Sequence, residues 1–118
     1  MPPAASPAAP AASVAQNLQA AIAHHQSGNL PLADALYRQI LQASPEHPEA
    51  LHLLGLSARQ QGRVDEAVDL MTRSLLIRPD NPVAHFNLGL AYQAQRKFDA
   101  AIESYGRALA LLSLIHIS

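Results

Sequence analysis

The residues that could do chemistry are six histidines and nine carboxylates. A helix offers two histidines to one metal ion when they stand three or four residues apart. His24 and His25 are adjacent and point to different sides, and His47 and His52 lie five apart across an expected helix start. With His85 and His116 they are read as solvated or cap-region histidines, and no metal site is expected. Among the acids, Asp65 and Glu66 open an expected fourth helix and Asp99 a sixth. There a carboxylate complements the positive end of the helix dipole, which is a structural role. No glycine-rich phosphate loop and no Gly-x-Ser-x-Gly elbow is present. The absence of Cys excludes disulfides, thiolate zinc sites and cysteine nucleophiles. Neither catalysis nor a cofactor is expected.

What these side chains ride on follows from composition. The chain has 118 residues and a net charge of −1, the size of one small domain. Near-neutral charge removes the electrostatic footprint of a nucleic-acid binder and the polybasic segment of an anionic-membrane binder. Hydrophobic residues make up 49% but aromatics only 4%, and Ala and Leu dominate, which is the vocabulary of helices. The charge-free run from Met1 to Ala33 is broken by Pro2, Pro3, Pro7, Pro10 and Pro31, so it is no membrane span. No basic segment precedes an apolar one, so no secretory signal is read and a cytoplasmic protein is expected. Residues 1–13 carry four prolines and otherwise mostly Ala, and are expected to form a disordered, partly polyproline-II tail. Seven Arg against one Lys, with abundant Ala, suggest a GC-rich bacterial genome.

A shift of 34 residues superposes the chain on itself. Ala33 becomes Ala67 and Ala101, Tyr37 becomes Met71 and Tyr105, and Leu41 becomes Leu75 and Leu109. Gly55 becomes Gly89, Pro45 becomes Pro79, and Gly28 becomes Gly62 and then Arg96. Three copies result, 14–47, 48–81 and 82–115. Within each copy apolar residues recur at three and four, as Leu51, Leu54, Ala58 and then Val64, Ala67, Met71, Leu75 do, with Gly62 between. Each copy is therefore helix, turn, helix. Helices are expected near 14–27, 31–43, 48–61, 65–77, 82–95 and 99–111. Ser13 with Gln16 forms a capping box, Asn81 with Pro82 a cap with proline behind it, and Pro45 and Pro79 stop second helices. Glycine mid-helix at 55 and 89 implies close approach of the paired helix.

This pattern resembles the tetratricopeptide repeat, Trp-x2-Leu-Gly-x2-Tyr, then Ala-x3-Phe, then Pro. Copy two reads Leu51-x2-Leu54-Gly55-x2-Ala58, Ala67-x3-Met71, Pro79; copy three reads His85-x2-Leu88-Gly89-x2-Tyr92, Ala101-x3-Tyr105, Ser113. Copy one is weak at its front and good at Ala33, Tyr37 and Pro45; no copy has Trp. The stretch from Ala35 to Leu41 and that from His47 to Gly55 are also similar to repeats of bacterial proteins built like O-linked N-acetylglucosamine transferases. The resemblance implies an all-α, right-handed solenoid of three helical hairpins over 14–112 whose first helices line a concave face.

By position in the family, the lining is Leu18, Gln19, Ile22 and His25, then His52, Leu53, Leu56 and Arg59, then Phe86, Asn87, Leu90 and Gln93. The centre would be apolar and the edges amide, His and Arg, a groove for an extended or helical peptide. Phe86 is the leading anchor, while Leu53, Leu56 and Leu90 have packing against a neighbouring copy as a second reading. A family-type carboxylate clamp is not expected, because the one Lys, Lys97, falls in a turn and only Asn87 matches. The implied function is non-catalytic protein or peptide binding; the alternative is the substrate-selecting arm of a larger glycosyltransferase. The apolar end from Ala110 to Ser118 lacks a polar capping helix. Residues 113–118 are read as a foreign junction, or else as a tail that docks on the last repeat or pairs two chains.

Overall fold

The computed structural model describes residues 11–117, with side chains from Ser13 to Leu114. Its six helices are α1 (Ala11–Gln26), α2 (Leu30–Ala43), α3 (Pro48–Gln60), α4 (Val64–Ile77), α5 (Pro82–Ala94) and α6 (Phe98–Ile117). They form three hairpins, as the repeat predicts, in an elongated body of 58 × 35 × 24 Å.

Local chemistry sets these limits. Asn81 Oδ1 accepts the Ala84 N–H at 3.2 Å, with Pro82 behind it as the first helical residue. At α3 the cap is His47, whose Nδ1 accepts the Ala50 N–H at 3.1 Å ahead of Pro48. Asn29 caps α2 through Leu32 N–H at 3.4 Å. Acids occupy the first turns of α4, Asp65 and Glu66, and of α6, Asp99.

Two limits differ from the sequence expectation. α1 begins at Ala11, so Ser13 lies inside the helix and is not its cap. Ala11 and Ala12 are strong helix formers and no proline follows Pro10 before the helix, so nothing halts an earlier start. The part of the expected tail at 1–10 lies outside the described residues. α6 runs to Ile117 instead of stopping near 111. Ser113 stands where Pro45 and Pro79 follow the ends of α2 and α4, and without a proline the Ala- and Leu-rich helix continues. The side chains of 115–118 lie outside the described residues.

Each helix packs on its neighbours in the chain, and α3 also meets α5. The buried core runs through the hairpins and across both junctions between copies. One buried cluster joins Ala21, Ala33 and Tyr37 of copy one to Leu51, Leu54 and Leu70 of copy two. The other joins Ala58, Ala67, Met71 and Leu75 to Ala84, Leu88 and Ala91 of copy three. Leu51 and Leu54 are almost fully buried, each contributing about 2 kcal/mol. The mid-helix glycines sit where two helices touch. A Cβ at Gly55 would lie 2.9 Å from Met71 Cγ, and one at Gly89 would lie 2.5 Å from Tyr105 Cε1.

Candidate functional site

The contact of α3 with α5 and a bond from α1 to α3 place α1, α3 and α5 side by side as one row. Along each helix, positions i, i+4 and i+7 share a face. That face carries Leu18, Ile22 and His25 on α1, His52, Leu56 and Arg59 on α3, and Phe86, Leu90 and Gln93 on α5. Gln19, Leu53 and Asn87 flank it.

Burial divides the set. Leu18, Ile22, His25, Leu53, Leu56, Arg59 and Leu90 are partly buried, while Gln19, Phe86 and Gln93 are exposed. Leu18 and Leu53 pack on the first core cluster and Leu56 on the second, so these three serve the stack as well as the surface. His52 and Asn87 are buried and occupied by each other. Asn87 Nδ2 donates to His52 Nε2 at 2.9 Å, which requires that nitrogen to be unprotonated. Burial holds the His52 pKa below the ordinary histidine value, in the same direction.

Phe86 is 50% exposed and tilts against Tyr105, ring centroids 5.5 Å apart. It lines an open pocket of about 460 Å³ with Val83, Ala108, Leu109 and Leu112, between α5 and α6. Phe86 thus stands between the shared face of α1, α3 and α5 and the end of the stack.

The i+7 row shows a device that repeat matching did not reveal. His25 Nε2 donates to Gln60 Oε1 at 2.7 Å, and its Nδ1 accepts the Tyr37 hydroxyl at 2.9 Å. In copy three the Tyr105 hydroxyl donates to Gln93 Oε1 at 2.7 Å. Copy two has Met71 at the tyrosine position, and Arg59 Nε is buried with no hydrogen-bond partner. Desolvation, with the charges of Asp34 and Glu49, pushes Tyr37 up to about 12, so its hydroxyl stays protonated as a donor.

A second polar centre, away from this face, also went unread. Asp34 on α2 is buried and accepts from Ser57 Oγ at 2.5 Å, Gln61 Nε2 at 2.9 Å and Arg63 Nη2 at 2.6 Å. Arg63 Nε and Arg38 also reach Glu66. Burial alone would raise the Asp34 pKa; the bonds from Ser57, Arg63 and Gln61 outweigh it and hold it below the usual carboxylate range. The corresponding junction of copies two and three has Val68 and Ala91 at the Asp34 and Ser57 positions. The signal in the sequence was this pair of polar residues at positions that are apolar one period later.

Among the described residues no three His, Cys, Asp or Glu side chains gather as a metal site, and no helix is long and apolar enough to cross a membrane. Three stacked helical hairpins with a shared inner face define a helical-repeat solenoid. The tetratricopeptide repeat family matches residues 46–113, more than half of the chain, and the chain belongs to it. That repeat is a non-catalytic protein-interaction fold.

Solved structures agree. The O-GlcNAc transferase of Thermobaculum terrenum, in a mutant form, superposes with a TM-score of 0.84 at 32% identity, over 86% of this chain and 19% of that one. MamA gives 0.81 at 19% identity, over 89% of this chain and 61% of that one. The second TPR of Spaghetti (RPAP3), bound to the HSP90 peptide SRMEEVD, gives 0.80 at 15% identity, over 83% and 91%. The chain thus spans about three fifths of MamA and one fifth of the transferase. No curated protein sequence matches it.

Proposed function

We propose that the chain captures an extended or helical peptide segment of a partner protein on the inner face of α1, α3 and α5. The carrying observation is the register of Ile22, Leu56 and Leu90: three apolar side chains at one position of successive copies, none closed off by the stack. They support an apolar floor, Leu18 and Leu53 border it, and Phe86 supplies an exposed aromatic at one end. Arg59 and Gln93 give the polar edge, while His52 and Asn87, buried against each other, brace the helices beneath it. Peptide binding by the Spaghetti domain on the same fold supports this reading. The test is the affinity of a phage-selected 12-residue peptide for the wild type and for the double variant Phe86→Ala, Leu90→Ala. A loss of about tenfold or more with unchanged helical circular dichroism is expected; unchanged affinity removes the groove assignment.

A second reading is favoured by one observation, the 32% identity to the transferase of Thermobaculum terrenum. In it the solenoid is an arm that selects protein substrates for a glycosyltransferase domain. Sequencing the native coding locus beyond the codon for Leu112 separates the two: a catalytic domain in frame supports the arm, and a stop codon the free-standing adaptor.

A further inference from the structure

Arg59 is the only Lys or Arg on the three inner helices. In the first and third copies a tyrosine hydroxyl holds the side chain at its position, Tyr37 on His25 and Tyr105 on Gln93. In the second copy Met71 is fully buried and has no hydroxyl to offer. Among the described residues Arg59 accordingly has no hydrogen-bond or ion-pair partner, and its Nε is buried unpartnered. The buried Nε is closed to a ligand as it is to water and leaves the guanidinium poorly compensated, so an incoming acceptor meets the terminal Nη donors, which are not buried with it.

Among the described residues no carboxylate competes for it. The one acid on the inner helices, Glu49, stands ten residues earlier, about 15 Å along the α3 axis. From the packed outer helices, Asp34 is held by Ser57, Gln61 and Arg63, and Glu66 by Arg38 and Arg63. Asp65 accepts from Gln95, and Asp69 lies near Arg73. Around Arg59 on its own face are Leu56 and, one period to either side, His25 and Gln93. A single cation is thus set in an apolar and amide surface, where it is screened less than a solvated one.

Resting on the groove reading above, we infer that Arg59 is the anchor for an Asp or Glu side chain of the bound peptide, which the apolar floor flanks. The acid must come from within the segment and not from its C-terminus. Arg59 sits in the middle copy, with α1 on one side and α5 on the other, so a bound chain passes it in both directions. A guanidinium forks onto a carboxylate through two parallel N–H donors, and one fork fixes the register of a segment that apolar contacts alone would let slide.

The test uses 12-residue random peptides on phage, joined at their C-termini to the coat protein so that every displayed carboxylate is a side chain. They are selected in parallel on the wild type and on Arg59→Gln, whose circular dichroism is checked first. Wild-type binders are expected to share Asp or Glu at a fixed spacing from apolar residues, and Arg59→Gln binders to keep the apolar residues and lose the acid. For the best wild-type peptide, exchanging the acid for its amide should weaken binding to the wild type about tenfold and leave Arg59→Gln unaffected. Selection of apolar peptides with no fixed acid overturns the Arg59 assignment and leaves the groove standing. An equal response of both proteins to the amide exchange also overturns it. No specific peptide from either selection removes the groove itself.

Discussion

Asn87 on α5 donates its amide N–H to His52 Nε2 on α3 at 2.9 Å, and both side chains are buried. This bond spans the junction between the second and third copies and depends on a neutral imidazole. A protonated His52 would turn a donor toward the Asn87 amide nitrogen and leave a charge with little water around it.

Stability should therefore fall on mild acidification. Burial lowers the folded-state pKa of His52, so the unfolded chain binds its proton first. The contribution is complete above the unfolded value of about 6.5 and is lost progressively as pH drops below it. Urea midpoints at pH 7.5 and pH 5.0 should differ more for the wild type than for His52→Gln, which cannot titrate. Equal pH responses would remove the buried neutral histidine from the account.

Asp34 sets a second, more acidic window. Its folded pKa is depressed, so its contribution is present above the unfolded value near 3.9 and is lost as pH falls through the folded value. Glu66, held low by Arg63 and Arg38, acts in the same direction. Asp34→Ala leaves the buried Ser57 hydroxyl without its acceptor and should cost about 2 kcal/mol at pH 7 by urea denaturation. Half-exposed Arg63 adds little to that figure. Ser57→Ala combined with Asp34→Val, which reproduces the apolar junction of Val68 and Ala91, should recover much of the loss.

The fold was legible because its signals are local and periodic. Ala33, Ala67 and Ala101 recur where helices must touch, and all three are buried. Pro48 and Pro82 start helices that a residue-by-residue propensity reading would have left ragged. Side-chain pairing was not legible, because it depends on which departures from the repeat meet across a junction. His52 and Asn87 are 35 residues apart, one period plus one. Neither residue is unusual alone, and matching like positions 34 apart never compares them. The exchange of Tyr37 and Tyr105 for Met71 is visible in the sequence, but its consequence at Arg59 needs the geometry of the facing helix. The course of α6 past 111 turned on a single absent proline.

Arg96 occupies the turn position that Gly28 and Gly62 hold in the other copies. Its φ is +62°, against +88° and +86° for the glycines. A left-handed backbone costs a side-chain-bearing residue about 1 kcal/mol that glycine avoids. Among the described residues Arg96 makes no ion pair in return; the Lys97 N–H reaches Tyr92 O at 2.9 Å through the backbone alone. Arg96→Gly should raise stability by about 1 kcal/mol less the entropy glycine adds to the unfolded chain, a net gain of a few tenths or more. A lower thermal midpoint would show that the arginine side chain stabilises the turn.

Gly55 and Gly89 are equivalent in the repeat, yet alanine should be accepted at the first and resisted at the second. Either change relieves the helix of about 1 kcal/mol of glycine penalty. At Gly55 the new methyl would meet Met71 Cγ at 2.9 Å, an unbranched side chain that can swing, although the Ala67 carbonyl at 3.3 Å limits the room. At Gly89 it would meet three ring atoms of Tyr105 within 3.0 Å, and that ring is also tied to Gln93 and lies tilted against Phe86. Moving it breaks the hydroxyl bond and shifts Phe86, so overpacking of about 2 kcal/mol should exceed the propensity gain. Gly89→Ala is expected to lower stability by about 1 kcal/mol and Gly55→Ala to change it by less than half of that. Should the two variants unfold at the same urea concentration, the stiffness assigned to Tyr105 is wrong. Tyr105→Met should then separate the causes: on that background Gly89→Ala is expected to approach the mild effect of Gly55→Ala.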